Sequence, residues 1–222
     1  WWENDGSQGF TAHIIDDTFN KARDVYATDV DGDGDIDVVG ASYGDNDINW
    51  WENDGSESFT SHTIDSTFDK ARDVYAIDVD GDGDIDVLSV NDYDNTIVLY
   101  SNNGNQMFKP QIIAADIKNV WAIYTSDVDT DGDIDLFILD ANGYLRYMEN
   151  KGSSIIPDFH LITTSYKDVF CGNWFYIADF DNDGDLDLTA QNSDDPDYIS
   201  YFGNTGGELT FLEGLLTSDE VN

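Results

Sequence analysis

Residues 29–37 read Asp29-Val30-Asp31-Gly32-Asp33-Gly34-Asp35-Ile36-Asp37. The same frame returns as Asp78-Val79-Asp80-Gly81-Asp82-Gly83-Asp84-Ile85-Asp86, Asp127-Val128-Asp129-Thr130-Asp131-Gly132-Asp133-Ile134-Asp135 and Asp179-Phe180-Asp181-Asn182-Asp183-Gly184-Asp185-Leu186-Asp187. These frames start 49, 49 and 52 residues apart. A second landmark keeps the same beat. Trp1-Trp2-Glu3-Asn4-Asp5-Gly6 recurs as Trp50-Trp51-Glu52-Asn53-Asp54-Gly55, and weaker copies end at Gly104, Gly152 and Gly206. A period near 49 means that one structural unit is built several times over.

Within a unit the local pattern is extended. Segments near 25–29, 38–42, 48–53 and 59–64 are short, rich in Val, Ile, Tyr, Trp and Phe, and separated by Gly, Asn and Asp clusters. No long segment carries a helical period. Four short strands in about 45–50 residues make one blade of a β-propeller, so the predicted fold is all-β, built of four-stranded antiparallel blades. The expected division is an outer strand pair of a preceding blade at 1–15, then four blades within 16–216. Those blades lie at about 22–64, 71–113, 120–162 and 173–216, with a tail at 217–222. The fourth is the least regular, with an insertion near 193–197. Four and a half blades do not close on themselves. The expectation is therefore a piece of a larger ring, opening in mid-repeat, whose missing blades or neighbouring chains complete it.

The spacing in the nine-residue frame has a chemical reason. Carboxylates at positions 1, 3 and 5 converge when a loop wraps an ion, and Ca²⁺ takes 6–8 oxygens at roughly 2.3–2.6 Å. Position 6 needs a sharply turning backbone, supplied by Gly34, Gly83, Gly132 and Gly184. Position 7 offers its carbonyl, so the side chains of Asp35, Asp84, Asp133 and Asp185 are not required at the metal. The Ile or Leu at position 8 is expected to plug the core. Position 9 closes the shell with Asp37, Asp86, Asp135 and Asp187. An EF-hand would need a Glu at position 12. Gly40, Ser89, Ile138 and Ala190 stand there instead, and a strand follows the loop where an EF-hand has a helix. Mg²⁺ fits less well, because it demands near-octahedral geometry. About four structural Ca²⁺ ions are expected.

The loops, the Trp-Trp-Glu-Asn segments and the Phe-x-x-His-x-Ile segments at 10–15 and 59–64 resemble FG-GAP/VCBS repeats. These are similar to the propeller repeats of integrin α-chains. The resemblance covers nearly the whole chain. It implies Ca²⁺ bound by the Asp side chains at positions 1, 3, 5 and 9 of every loop, and rings of about seven blades.

Composition narrows the partner. The net charge is −38, and 40 of the 47 acidic residues are Asp. Four Ca²⁺ would leave about −30, which argues against nucleic acid and anionic membranes, both of which require basic patches. Six Trp, twelve Tyr and twelve Phe supply a core, so the acidity is not that of a disordered chain. Cys171 is alone, so no intrachain disulfide forms, and it reads as a small buried side chain. No apolar run is long enough to span a membrane as a helix.

The Trp pairs read as packing between blades in preference to sugar-stacking platforms, since strand neighbours face opposite sides. His13, His62 and His160 come one per unit and cannot share a metal. No residue set suggests a catalytic triad, so an enzyme is not expected. In a four-stranded blade the metal loops share one end, and the loops carrying Lys21, Arg23, Tyr43, Lys70, Arg72 and Tyr93 share the other. They hold four of only nine basic residues. They read either as a partner-binding surface or as local ion pairs with Asp17, Asp24 and Asp73. The expected function is an extracellular or cell-surface calcium-binding module for adhesion, taking a glycan or a protein. The alternatives are a non-catalytic propeller of a larger secreted polysaccharide-active enzyme and a component of a surface layer or filament.

Overall fold

The computed structural model describes residues 1–91, 93–117, 119–129, 131–140, 145–152, 159–166, 175–191, 199–203 and 212–216. Cys171, Thr130, the 193–197 insertion, the 217–222 tail and the His160 side chain lie outside this set. Among the described residues there is no helix. A two-stranded sheet, β1 (Trp2–Asn4) with β2 (Phe10–Ala12), precedes four four-stranded antiparallel sheets. The first is β3 (Ala22–Thr28), β4 (Asp37–Ser42), β5 (Asp47–Asn53) and β6 (Phe59–Asp65). The second is β7 (Ala71–Ile77), β8 (Asp86–Asn91), β9 (Thr96–Ser101) and β10 (Lys109–Ala114). The third is β11 (Val120–Ser126), β12 (Asp135–Asp140), β13 (Leu145–Asn150) and β14 (Phe159–Tyr166). The fourth is β15 (Phe175–Ala178), β16 (Asp187–Gln191), β17 (Ile199–Gly203) and β18 (Leu212–Leu216). Each is a meander in chain order, the form of a propeller blade. No pairing among the described strands joins β1 or β2 to the last sheet, so these sheets do not close into a ring.

The core lies between sheets. Val39, Ala41, Ile48 and Trp50 of the first pack with Val74, Val87 and Tyr100 of the second and with Phe68 of the connection between them. Leu88, Val90, Ile97 and Leu99 of the second pack with Ile123, Leu136, Ile138 and Met148 of the third. The second strands of the second and third blades, β8 and β12, are therefore buried along their whole length, and β4 nearly so.

Trp50 and Trp51 are buried, and they face opposite neighbours. Trp50 stacks on His62 at 4.6 Å and joins the core shared with the second blade. Trp51 meets Phe19 edge-on at 4.9 Å and donates its indole N–H to Asp16. Neither is a sugar platform. Trp2, on the isolated pair β1–β2, is exposed.

The first strand of each blade has one edge without a partner strand, and bare N–H groups there would be costly. The preceding blade supplies the acceptor. Asp24 Oδ2 accepts from Val74 N at 3.1 Å, and Asp73 Oδ2 accepts from Ile123 N at 2.8 Å. Both Asp follow a β-bulge, which turns them toward the next blade. Burial and the nearby Asp24 charge push the Asp73 carboxyl well above its ordinary value. Ala122 stands at the matching place in β11, so the relay stops there.

Gly40 on β4 is required by packing. A Cβ there would lie 2.8 Å from the Trp51 ring. The matching pairs in the next two blades are Ser89 with Tyr100 and Ile138 with Met148, so the second-strand residue grows as its third-strand partner shrinks. Gly40→Ser should therefore destabilise by about 1–3 kcal/mol. Combined with Trp51→Tyr, which copies the second blade, it should cost less than the sum of the single changes. Chemical denaturation of the four proteins of this cycle measures the coupling, and strict additivity would refute the contact.

Candidate metal loops and the opposite face

Each nine-residue loop joins the first strand of its blade to the second and is organised by its own carboxylates. The position 1 Asp accepts from the position 6 N–H: Asp29 from Gly34, Asp78 from Gly83, Asp127 from Gly132 and Asp179 from Gly184. Position 3 accepts from position 5, and position 5 from position 7, in all four loops. These short bonds are the turns that Asp side chains favour. They wind the chain so that one oxygen of several carboxylates is left facing a common point. The position 6 glycines have φ between +95° and +98°. Position 4 is left-handed as well, at Gly32, Gly81 and Asn182, which explains a residue choice the metal chemistry alone does not.

In the first two loops Asp29, Asp31, Asp33 and Asp78, Asp80, Asp82 each offer one oxygen, all within 4.8 Å of one another. In the last two loops the converging sets are Asp127, Asp129, Asp135 and Asp179, Asp181, Asp187. Positions 1 and 3 thus meet in every loop. Position 5 joins them in the first pair of loops and position 9 in the second, so Asp131, Asp183, Asp37 and Asp86 stand outside those sets. The Oδ1 atoms of Asp127 and Asp179 are buried and accept no hydrogen bond. An orphaned anionic oxygen beside two more carboxylates is the donor set expected of a hard-cation site.

Position 9 has a second task. Asp37, Asp86, Asp135 and Asp187 are fully buried. Their Oδ2 atoms accept from the position 2 N–H of Val30, Val79, Val128 and Phe180 at 2.8–3.0 Å. In the first three blades Oδ1 also accepts from the end of the third strand, at Asn53 N, Asn102 N and Asn150 N. One carboxylate therefore ties the loop to the hairpin beyond it. Burial pushes these groups upward, only partly offset by the two N–H donors: Asp86 to about 7 and Asp135 to about 6, with Asp37 also raised. Burial and neighbouring carboxylates raise Asp31, Asp80, Asp129 and Asp181 too.

One expectation changes, and one position gains a role. The position 8 side chains do not fill the core: Ile36 is 56% exposed, Ile134 and Leu186 are half-buried, and Ile85, also half-buried, packs only against the core's edge. Val30, Val79 and Val128 at position 2 fill that role, because their N–H groups are pulled inward by the position 9 carboxylate. The position 7 side chains are also not idle. The carboxylates of Asp35, Asp84 and Asp133 lie over Gly55, Gly104 and Gly152, where any Cβ would collide with them. The glycine of the Trp-Trp-Glu-Asn-Asp-Gly turn is thus the seat of the metal loop's own side chain.

The first strand runs from the opposite face to the metal loop, so Lys21, Arg23, Tyr43, Lys70 and Tyr93 lie at the other end of the blades. The structure gathers them. Arg23 lies over the Tyr43 ring at 4.8 Å, with Lys70 at 5.8 Å and Lys21 at 6.0 Å from its centroid. Lys70 also lies 4.9 Å from the Tyr93 ring. Turns cross from blade to blade beneath them: Lys70 N donates to Asn46 Oδ1 and Asn119 N to Asn95 Oδ1. Arg72 lies beside Asp73, and its charge partly offsets the upward push on that carboxyl. Among the described residues, Lys21, Arg23 and Lys70 lie within 4.0 Å of no carboxylate, contrary to the ion-pair reading.

No curated protein matches the chain. Among solved structures, a lectin of Agrocybe aegerita, described for its specific recognition of non-reducing terminal N-acetylglucosamine, is similar in fold. The TM-score is 0.65 at 17% sequence identity, over 99% of this chain. This chain spans 60% of the lectin's length. A family model of the FG-GAP-like repeat matches residues 29–89, 78–138 and 127–190. Those overlapping matches run through three of the four loops into the last, over well more than half of the sequence, and the chain belongs to the FG-GAP-like repeat family.

Proposed function

We propose that this chain is a calcium-braced β-propeller module, working outside the cell and without catalysis, that binds a glycan through the face opposite its metal loops. The observation that carries the metal assignment is the repeated convergence of three carboxylate oxygens in each of four loops, two of them with an orphaned buried oxygen. Bound Ca²⁺ would supply the positive charge that offsets carboxylate repulsion in each loop. The chain's own residues do the rest. Positions 1, 3 and 5 hold the loop in its wound form, position 9 ties it to the third strand, and position 7 seats it on the neighbouring turn. The role is structural, because the loops brace blade ends and lie away from Lys21, Arg23, Lys70 and Tyr93. A glycan is the first ligand to test, given a lectin of similar fold, and the outward face carries exposed Tyr93. Around seven blades would complete the ring.

An ion that binds only the folded state stabilises it, by about 2.7 kcal/mol per site at a hundredfold excess over Kd. Removing calcium should lower the melting temperature strongly, and titration calorimetry of metal-free protein should find about four sites, the number of loops. Asp82→Ala should remove one site and leave the others. An unchanged melt after metal removal would sink the assignment. A glycan array probed with and without calcium tests the ligand: selective, calcium-dependent spots are expected, and a flat array would refute a lectin.

Proton linkage gives an independent check. In the metal-free fold Asp86 at about 7, Asp135 at about 6 and the raised Asp37 hold protons that the unfolded chain, titrating near 4, has already released. The folded state therefore binds more protons, and metal-free stability should rise as pH falls from about 7 toward about 4. Calcium competes with those protons, so the increment it adds should shrink over the same window. Melting curves with and without calcium that stay parallel across this range would contradict the linkage.

A further inference from the structure

Among the described residues, three cations on the outward face make no ion pair, in a chain of net charge −38. Lys21, Arg23 and Lys70 stack on tyrosine rings instead. The geometry explains how they stay apart from the surrounding acid. Lys21 and Lys70 occupy left-handed turn positions, with φ +53° and +58°, and Arg23 sits on the β-bulge of β3. Nearby carboxylates are engaged with backbone N–H groups: Asp24 with Val74 and Asp45 with Asn20. The cations are thus held as a row across two blades, running from Arg23 and Lys21 over Tyr43 to Lys70 and Tyr93. Tyr93 is 61% exposed and leaves ring surface open beside the Lys70 ammonium.

We infer that this row binds an acidic polysaccharide, with a carboxylate or sulfate on the Lys70–Arg23 row and a sugar ring against Tyr93. The inference rests on the glycan-binding reading and names its chemical class. A ligand here must carry negative charge, since cations without a carboxylate partner flank the exposed Tyr93 ring. Its charge must also be sparse, because the remaining surface repels a dense polyanion. One acidic group per sugar unit or two meets both conditions. A nucleic acid, with a phosphate at every residue, does not. An aromatic ring beside a cation suits a ring with an apolar face and an anionic substituent better than it suits an acidic peptide.

The test uses the full chain with calcium and immobilised chondroitin sulfate, hyaluronan, neutral dextran, poly-glutamate and single-stranded DNA. The expected result is retention on chondroitin sulfate or hyaluronan, weakening as salt rises, with none of the other three retained. Lys70→Ala should weaken binding about tenfold, the scale of one lost charge-assisted contact. Tyr93→Ala should weaken it, and Lys70→Arg and Tyr93→Phe should restore it. The melting temperature in calcium should stay unchanged in all four, which separates lost binding from lost folding. Absence of binding to both acidic polysaccharides, binding insensitive to these variants, or equal retention on poly-glutamate or DNA would overturn the inference. If neutral array glycans bind while these acidic polymers do not, the glycan module stands and this acidic specificity falls.

Discussion

A buried carboxylate accepting two backbone N–H bonds holds the end of each of the first three blades together. Asp37, Asp86 and Asp135 each take one proton donor from position 2 of their own loop and one from the end of the third strand. This bond pair fixes three features at once. It draws the position 2 valine into the core, sets where the second strand begins, and aligns the Asn-Asp-Gly turn against the loop. The position 7 carboxylate then lies over the turn glycine. Without the position 9 clasp, loop and turn would have no common reference, and the converging oxygens would have nothing to hold them in register.

That arrangement is electrostatically expensive in the absence of a cation. Burying a charged group costs free energy unless its partners compensate, and two N–H donors do not fully compensate Asp86, which is still pushed up to about 7. The same logic recurs between blades. Asp24 and Asp73 cap exposed N–H groups of the following strand, and their mutual proximity raises Asp73. The chain therefore uses aspartate as a backbone acceptor wherever two elements meet. This accounts for an acidity carried almost entirely by Asp: the shorter side chain reaches neighbouring N–H groups with less conformational freedom to lose.

Much of this was legible in the sequence, for a physical reason. An ion needs several oxygens at one point, so the loop spacing is strict, and its repetition gave the period and the blade. The Asn of Trp-Trp-Glu-Asn was also a signal. It persists as Asn102 and Asn150 after the tryptophans have become Leu99-Tyr100 and Tyr147-Met148. Its role was not readable, because its N–H meets a carboxylate 15 or 16 residues earlier in the chain. Position 8 was misread for a related reason. Alternation along a strand does not extend into a loop that winds around its own side chains, so Ile36 turns outward while Val30 turns in. The contacts from Asp24 to Val74 and from Asp73 to Ile123 span 50 residues. The repeated Arg-Asp-Val-Tyr, broken at Ala122, was their only trace in the sequence.

The two ends of the blades are thereby made unlike. At the metal end the carboxylates of the loop frame are engaged with the backbone of their own loop and blade, at positions 1, 3, 5 and 9. Recognition there would have to disturb the clasp that organises the blade. At the other end the turns are short, left-handed and joined across blades through Asn46 and Asn95, which need no charge to hold them. The amides and Asp45 carry the structural contacts at that end, and it is there that Lys21, Arg23 and Lys70 are found on aromatic rings. Placing fold-bracing charge at one end and uncommitted charge at the other lets the outward face vary between blades, from Lys21 and Lys70 to Asn119, without loss of the loop that builds each blade.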